Sequence, residues 1–131
     1  MANEAVCIET PTRFARFTVS NTEAVPIGTL MKLTDPCTCT ATTADNDPFA
    51  GIAWEEHEAS KGITQITLAL NGTWDITTTN AAITAGSLVS IGGANLVLVI
   101  DAGIYLGQLV GKALETCTGT EVIAVRVGEV V

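Results

Sequence analysis

A chain of 131 residues that is 47% hydrophobic and only 15% charged can bury a sizeable core as one domain, which excludes an intrinsically disordered chain. A formal charge of −8, with 6 Lys and Arg against 14 Asp and Glu, excludes the cationic face that binding to a nucleic-acid backbone needs. So few charges on so apolar a chain imply that part of its surface is covered in a homo-oligomer.

The start of the chain has no basic segment followed by an apolar run, so no signal peptide is expected. Residues 1–12 carry little periodicity and end at Pro11; they read as a flexible arm, with Arg13–Ser20 as a first, edge strand. Residues 1–20 thus form one unit and 21–131 a β domain. Gly28–Thr34 is the next expected strand, entered through Val25-Pro26 and closed by Asp35-Pro36. Cys37–Asp47 reads as a polar loop. Phe49–Glu55 and Ile63–Leu70 follow as strands, the second with Ile66, Leu68 and Leu70 on one face and Gln65, Thr67 and Asn71 on the other.

Asn71-Gly72 is a hairpin signal ahead of a strand over Thr73–Thr77, and Thr78–Ala85 has room for one helical turn. Leu88–Ile91 and Asn95–Ile100 flank Gly92-Gly93 as a second hairpin. Leu96–Ile100 is apolar at every position, which predicts cover on both faces. Leu88–Gly111 as a whole contains Asn95, Asp101, Gln108 and several glycines, so it reads as strands and not as a membrane span. Leu109–Glu115 and Glu121–Val127 form the closing pair, with Ile123, Val125 and Val127 on one face. No segment shows helical periodicity and no internal repeat is visible. About eight or nine short strands at regular spacing predict an all-β fold, a small barrel or sandwich.

Catalytic chemistry lacks its parts. His57 is the only histidine, in Glu55-Glu56-His57-Glu58, and without a second imidazole it reads as part of a solvated acidic turn and not as a metal site. Cys37-Thr38-Cys39 has the wrong spacing for a zinc knuckle or a thioredoxin-like pair. Cys7, Cys37, Cys39 and Cys117 read as free thiols in a reducing compartment, and a Cys7–Cys117 bridge in an oxidising one stays open. None of the four serines lies in a nucleophile elbow. Leu30-Met31-Lys32-Leu33 has the look of a biotin or lipoyl carrier motif, but its Lys falls within a strand and not at a hairpin tip. Nothing asks for a cofactor.

Two features point to contacts with other proteins. Arg13-Phe14-Ala15-Arg16-Phe17 alternates cations and aromatics on an acidic chain, the pattern of a segment that adds itself to a partner's sheet. Arg13, Phe14, Arg16 and Phe17 are therefore candidate binding residues. Trp54, Trp74, Leu96 and Leu98 are candidates for an oligomer interface, because large apolar side chains anchor such contacts.

The order of several short pieces carries a family resemblance. Val25-Pro26-Ile27-Gly28 leads a strand, then come Phe49-Ala50-Gly51-Ile52-Ala53, Gly72-Thr73-Trp74-Asp75-Ile76 and Ala82-Ile83-Thr84-Ala85-Gly86-Ser87-Leu88-Val89. Val110-Gly111-Lys112-Ala113-Leu114-Glu115 and Val122-Ile123-Ala124-Val125-Arg126-Val127 close it. In this order and spacing, over roughly residues 25–128, the chain resembles the capsid decoration (cement) proteins of tailed-virus heads. The Cys37–Asp47 loop and the longer arm depart from that pattern. The resemblance implies a tulip-like β fold, made in the host cytoplasm, that trimerises on the outside of an expanded icosahedral head at three-fold or quasi-three-fold sites. Its implied partner is the major capsid protein of the same virus, and its implied role is to hold the shell against genome pressure without catalysis, nucleic-acid contact or membrane contact. The rival reading is a virion- or cell-surface module that binds carbohydrate through Trp54, Trp74 and Tyr105; a small enzyme or carrier domain is a second rival.

Overall fold

Short runs of alternating apolar and polar side chains form eleven strands and no helix among residues 3–100 and 108–128, the part of the chain that the computed structural model describes. The all-β class and the small barrel expected from the sequence are what the chain forms, and it forms the barrel twice. The first five-stranded barrel is β2 (Phe14–Thr18), β3 (Leu30–Asp35), β4 (Thr38–Ala41), β5 (Phe49–Ala53) and β6 (Gln65–Ala69), closed in the order β2-β4-β3-β5-β6. The second is β7 (Gly72–Thr78), β8 (Leu88–Gly93), β9 (Leu96–Val99), β10 (Leu109–Ala113) and β11 (Val122–Val127), ordered β7-β11-β10-β8-β9 with β9 returning to β7. The remaining strand, β1 (Val6–Glu9), lies outside this ring on β7.

The connectivity of the two barrels is the same. In each, the first strand runs antiparallel to the fifth and parallel to the third. Individual hydrogen bonds recur as well. Val25 and His57 exchange two backbone bonds of 2.9 Å, and Ile83 and Cys117 exchange two of 3.1 and 2.9 Å. Gly28 N–H donates to Ala53 O at 2.9 Å, as Gly86 N–H does to Ala113 O at 2.8 Å. Both glycines sit at positive φ, +92° and +93°, in the same turn, where a side chain would be strained. The chain is therefore an internal repeat that its sequence conceals. Equivalent positions need only fill equivalent volume, so His57 stands where Cys117 stands and Met31 where Val89 does.

Each barrel has its own interior. Val19, Val25, Met31, Ile66 and Leu68 fill the first, with Phe17 packed beside them. Trp74, Ile76, Val89, Ile91, Val97 and Val125 fill the second, but that cluster also takes in Leu30, Ile52 and Ala69 from the outer face of the first barrel. The two barrels are thus one packed body. Polar pins reinforce the junction: Asn46 N–H donates to Ile91 O at 2.9 Å, and the fully buried Asn95, in the β8–β9 turn at φ +57°, accepts from Leu30 N–H at 2.9 Å through Oδ1.

Several local expectations are corrected. The arm contains β1, paired with β7 and anchored by Ala5 N–H to Gly28 O at 2.8 Å. The Cys37–Asp47 loop contains β4, whose alternating Cys39 and Ala41 face the first core. Thr78–Ala85 makes no helical turn, because Ile83 is tied to Cys117 in an extended bridge. Asn71-Gly72 is no hairpin: β6 and β7 do not pair, and the dipeptide carries the chain from one barrel to the next. The Asn71 side chain braces this crossover by accepting from Thr12 and Arg13 N–H at 2.9 and 3.1 Å.

Replacing Asn95 by Ala strands the buried Leu30 N–H and lowers stability by about 1–3 kcal/mol. Urea unfolding of Asn95→Ala checks this, and an unchanged midpoint would show that the junction does not depend on the amide.

Candidate protein-interaction surface

The N-terminal strand, the Pro26-Ile27-Gly28 turn and the end of β5 converge at the barrel junction. They leave a groove of about 410 Å³ lined by Ala5, Val6, Cys7, Ile27, Trp54 and Trp74. Trp54 forms its wall, with Phe14 tilted against one side at 5.2 Å between ring centroids and Trp74 edge-on at 6.0 Å. Such ring geometry adds to the burial that fixes Trp54 in place. The outer rim is apolar and open: Val6 is 62% exposed, Ile27 56% and Trp54 37%, with Phe14 and Ile8 exposed as well. On a chain of charge −8 these side chains form an apolar patch open to solvent.

The residues singled out from the sequence separate here. Phe14 and Arg16 lie on the outside of β2, exposed, while Phe17 turns inward against the first core. Arg13 is exposed at the entry to β2. Arg16 is held flat along the barrel by bonds to Gln65 Oε1 at 3.2 Å and Thr67 Oγ1 at 3.3 Å. Trp54 contributes to the groove's rim. Trp74 is 1% exposed and gives its indole N–H to Asn71 O at 3.1 Å, so it is core, with no surface to offer an interface. Leu96 and Leu98 are half-buried on the outside of β9, with Val97 buried and Val99 packed against the second core, and neither leucine lines the groove. Cover on both faces of this strand is thus partial within one chain. Tyr105 lies outside the described residues. Val6, Ile8 and Ile27 were not singled out from the sequence, because an isolated apolar residue beside Pro or in a short strand carries no signal of exposure.

The groups with chemical potential are occupied structurally. His57 is buried and not in a solvated turn: its Nδ1 lies 2.6 Å from Glu23 O and its Nε2 2.7 Å from Ile63 O. Both ring nitrogens thus face backbone carbonyls. Neither nitrogen is free for a metal or a substrate. Lys32 bonds Thr43 Oγ1 at 2.8 Å and pairs with Asp47 at 3.4 Å, mid-strand, where a carrier lysine would have to stand at a tip. The Asp47 carboxyl, although its burial acts to raise it, is held below its usual range by N–H groups of Thr43 and Ala44 and by Lys32. Among the described residues, no three His, Cys, Asp or Glu side chains gather as a metal site, and no helix is long and apolar enough to cross a membrane.

All four cysteines are free thiols. Cys39 is buried in the first barrel, and burial, with the Glu23 carboxylate adding to it, pushes its thiol from 9.0 up to about 11. Compared with known proteins, the chain matches no family model and no curated protein.

Two outcomes follow from this geometry. His57→Ala opens a hole and removes the ring's contacts to the Glu23 and Ile63 carbonyls, so it lowers stability by about 2–4 kcal/mol in chemical unfolding; a silent variant would mean that those contacts and the packing contribute nothing. The Cys39 thiol is raised in the fold, so it favours the folded state below pH 9, and this contribution drains away between 9 and about 11 as the unfolded thiol ionises first. Stability should therefore fall in that window, and Cys39→Ala should flatten the fall; an equally steep alkaline limb in the variant would assign it to other groups.

Proposed function

We propose that this protein is a non-enzymatic decoration protein. It binds the outer surface of an expanded icosahedral viral head at three-fold or quasi-three-fold sites, as a homotrimer, and stabilises the shell against genome pressure. The observation that carries this reading is the exposed apolar groove of Val6, Ile27 and Trp54, set beside the exposed Phe14 and Arg16 of β2 on an otherwise acidic chain. A surface of this kind suits burial against protein, where desolvated aromatic and apolar anchors supply most of the binding energy. The order of short motifs over roughly residues 25–128 supports the same reading, and the resemblance it carries implies the partner, the major capsid protein.

The mechanism asks for no chemistry. Each copy adds a modest contact, and a trimer engaging several capsid subunits at once dissociates slowly because its sites release one at a time. The acidic remainder of the surface keeps a densely covered particle from associating with its neighbours. Carbohydrate binding through Trp54 draws less support. A sugar needs polar groups beside the ring, and the groove offers chiefly apolar ones besides the Cys7 thiol.

Co-sedimentation with expanded, undecorated heads of the parent virus tests the proposal: saturable binding at a fixed ratio to capsid protein is expected. Ile27→Asp, at an exposed position, should fold normally and bind about ten-fold more weakly or worse. No binding by folded wild-type protein would overturn the decoration role.

A further inference from the structure

The two barrels differ in what covers the outer edge of their first strand. In the second barrel, β7 meets β9 only at Thr77 and Thr78, and ahead of this short seam its edge over Thr73–Asp75 is taken by β1. In the first barrel, β2 meets β4 at a single pair, Thr18 with Thr38, with Thr18 N–H donating to Cys37 O at 2.7 Å. Ahead of that seam, no strand among the described residues pairs with β2 on this side.

The alternation of hydrogen bonds identifies the groups left over. Leu70 N–H donates to Arg13 O at 2.9 Å and Val19 N–H to Thr64 O at 2.9 Å, so Arg13, Ala15, Phe17 and Val19 direct their backbone groups at the β6 side. Phe14 and Arg16 direct theirs the other way, toward the edge, as Thr18 does. They are the counterparts of Thr73 and Asp75, the residues that receive β1 in the second barrel.

We propose that the Phe14–Arg16 edge of β2 accepts an extended, carboxylate-bearing segment of another protein as an added antiparallel strand, in the place that β1 fills on the second barrel. Two observations select this occupant. Arg13 and Arg16 flank the edge, two of the six Lys and Arg in the chain, so acidic side chains opposite them are favoured. A second copy's β2, Phe14–Thr18, carries no carboxylate to meet these cations. Among the described residues, the strand of suitable character, β1, is already on β7, where the Glu9 carboxylate accepts from the Thr73 hydroxyl. The described residues thus offer two equivalent edges and one strand, and the second strand comes from elsewhere. The identification of that source as the shell protein rests on the decoration reading.

Backbone amide exchange, resolved residue by residue over β2, tests the inference on the full chain, free and bound to expanded undecorated heads. In the free protein the Phe14 and Arg16 amides should exchange fast while Ala15 and Phe17, bonded to β6, exchange slowly. On the heads, Phe14 and Arg16 should become protected, and Arg16→Glu should weaken binding about ten-fold or more without unfolding the protein. Protection of Phe14 and Arg16 in the free protein would overturn the inference, since the edge would already be filled. Binding without new protection would overturn the added strand while leaving the decoration role intact. Absence of binding would overturn that role and this partner together.

Discussion

The architecture turns on how a small barrel closes. When the first and third strands of a five-stranded barrel meet in parallel, they share only the few residues over which their paths overlap, one pair at the first seam and two at the second. The rest of the first strand's edge carries N–H and C=O groups that must find partners in protein or water. On β7 the chain solves this with its own N-terminus. That solution also joins the barrels, because Ala5, just ahead of β1, donates to Gly28 in the first barrel. The apolar groove follows from it: Ala5, Val6 and Cys7 are one wall, and Ile27 with Trp54 the other.

The same connectivity tolerates different chemistry at equivalent points. His57 and Cys117 both close the bridge to the segment before the second strand, and both reach the carbonyl of an equivalent residue, Glu23 and Ala81 respectively. An imidazole bolts two loops by hydrogen bonds where a thiol does so by packing and a weak donor. The demand of the fold at these points is a backbone bridge and a filled volume. A unique histidine is therefore structural here, although it sits among carboxylates in the sequence.

Alternation was the most legible signal. Ile66 and Leu68 in β6, and Ile123, Val125 and Val127 in β11, face inward as their spacing indicated, because period two matches the pleat whatever the strand's neighbours. Signals that depend on partners were misleading. Asn71-Gly72 has hairpin chemistry, yet its flanking strands belong to different barrels. β4, with its Thr38-Cys39-Thr40-Ala41 sequence, looks like a polar loop until β3 pairs with it. Of the candidate contact residues, Phe14, Arg16 and Trp54 lie at the surface, whereas Phe17 and Trp74 face the cores, a division that composition cannot make.

By itself the sequence determined the all-β class, the inward faces of the clearly alternating strands and the acidic balance, all of which are properties of single residues or of neighbours along the chain. The tertiary structure decided the rest: that the barrel occurs twice, that the N-terminus pairs with β7, that Asn95 and His57 are buried, and that β2 is left with an edge beside an apolar groove. These depend on which strands meet across long sequence separations. Backbone hydrogen bonding sets that choice, and since every residue but proline offers nearly the same donor and acceptor, side-chain identity records little of it.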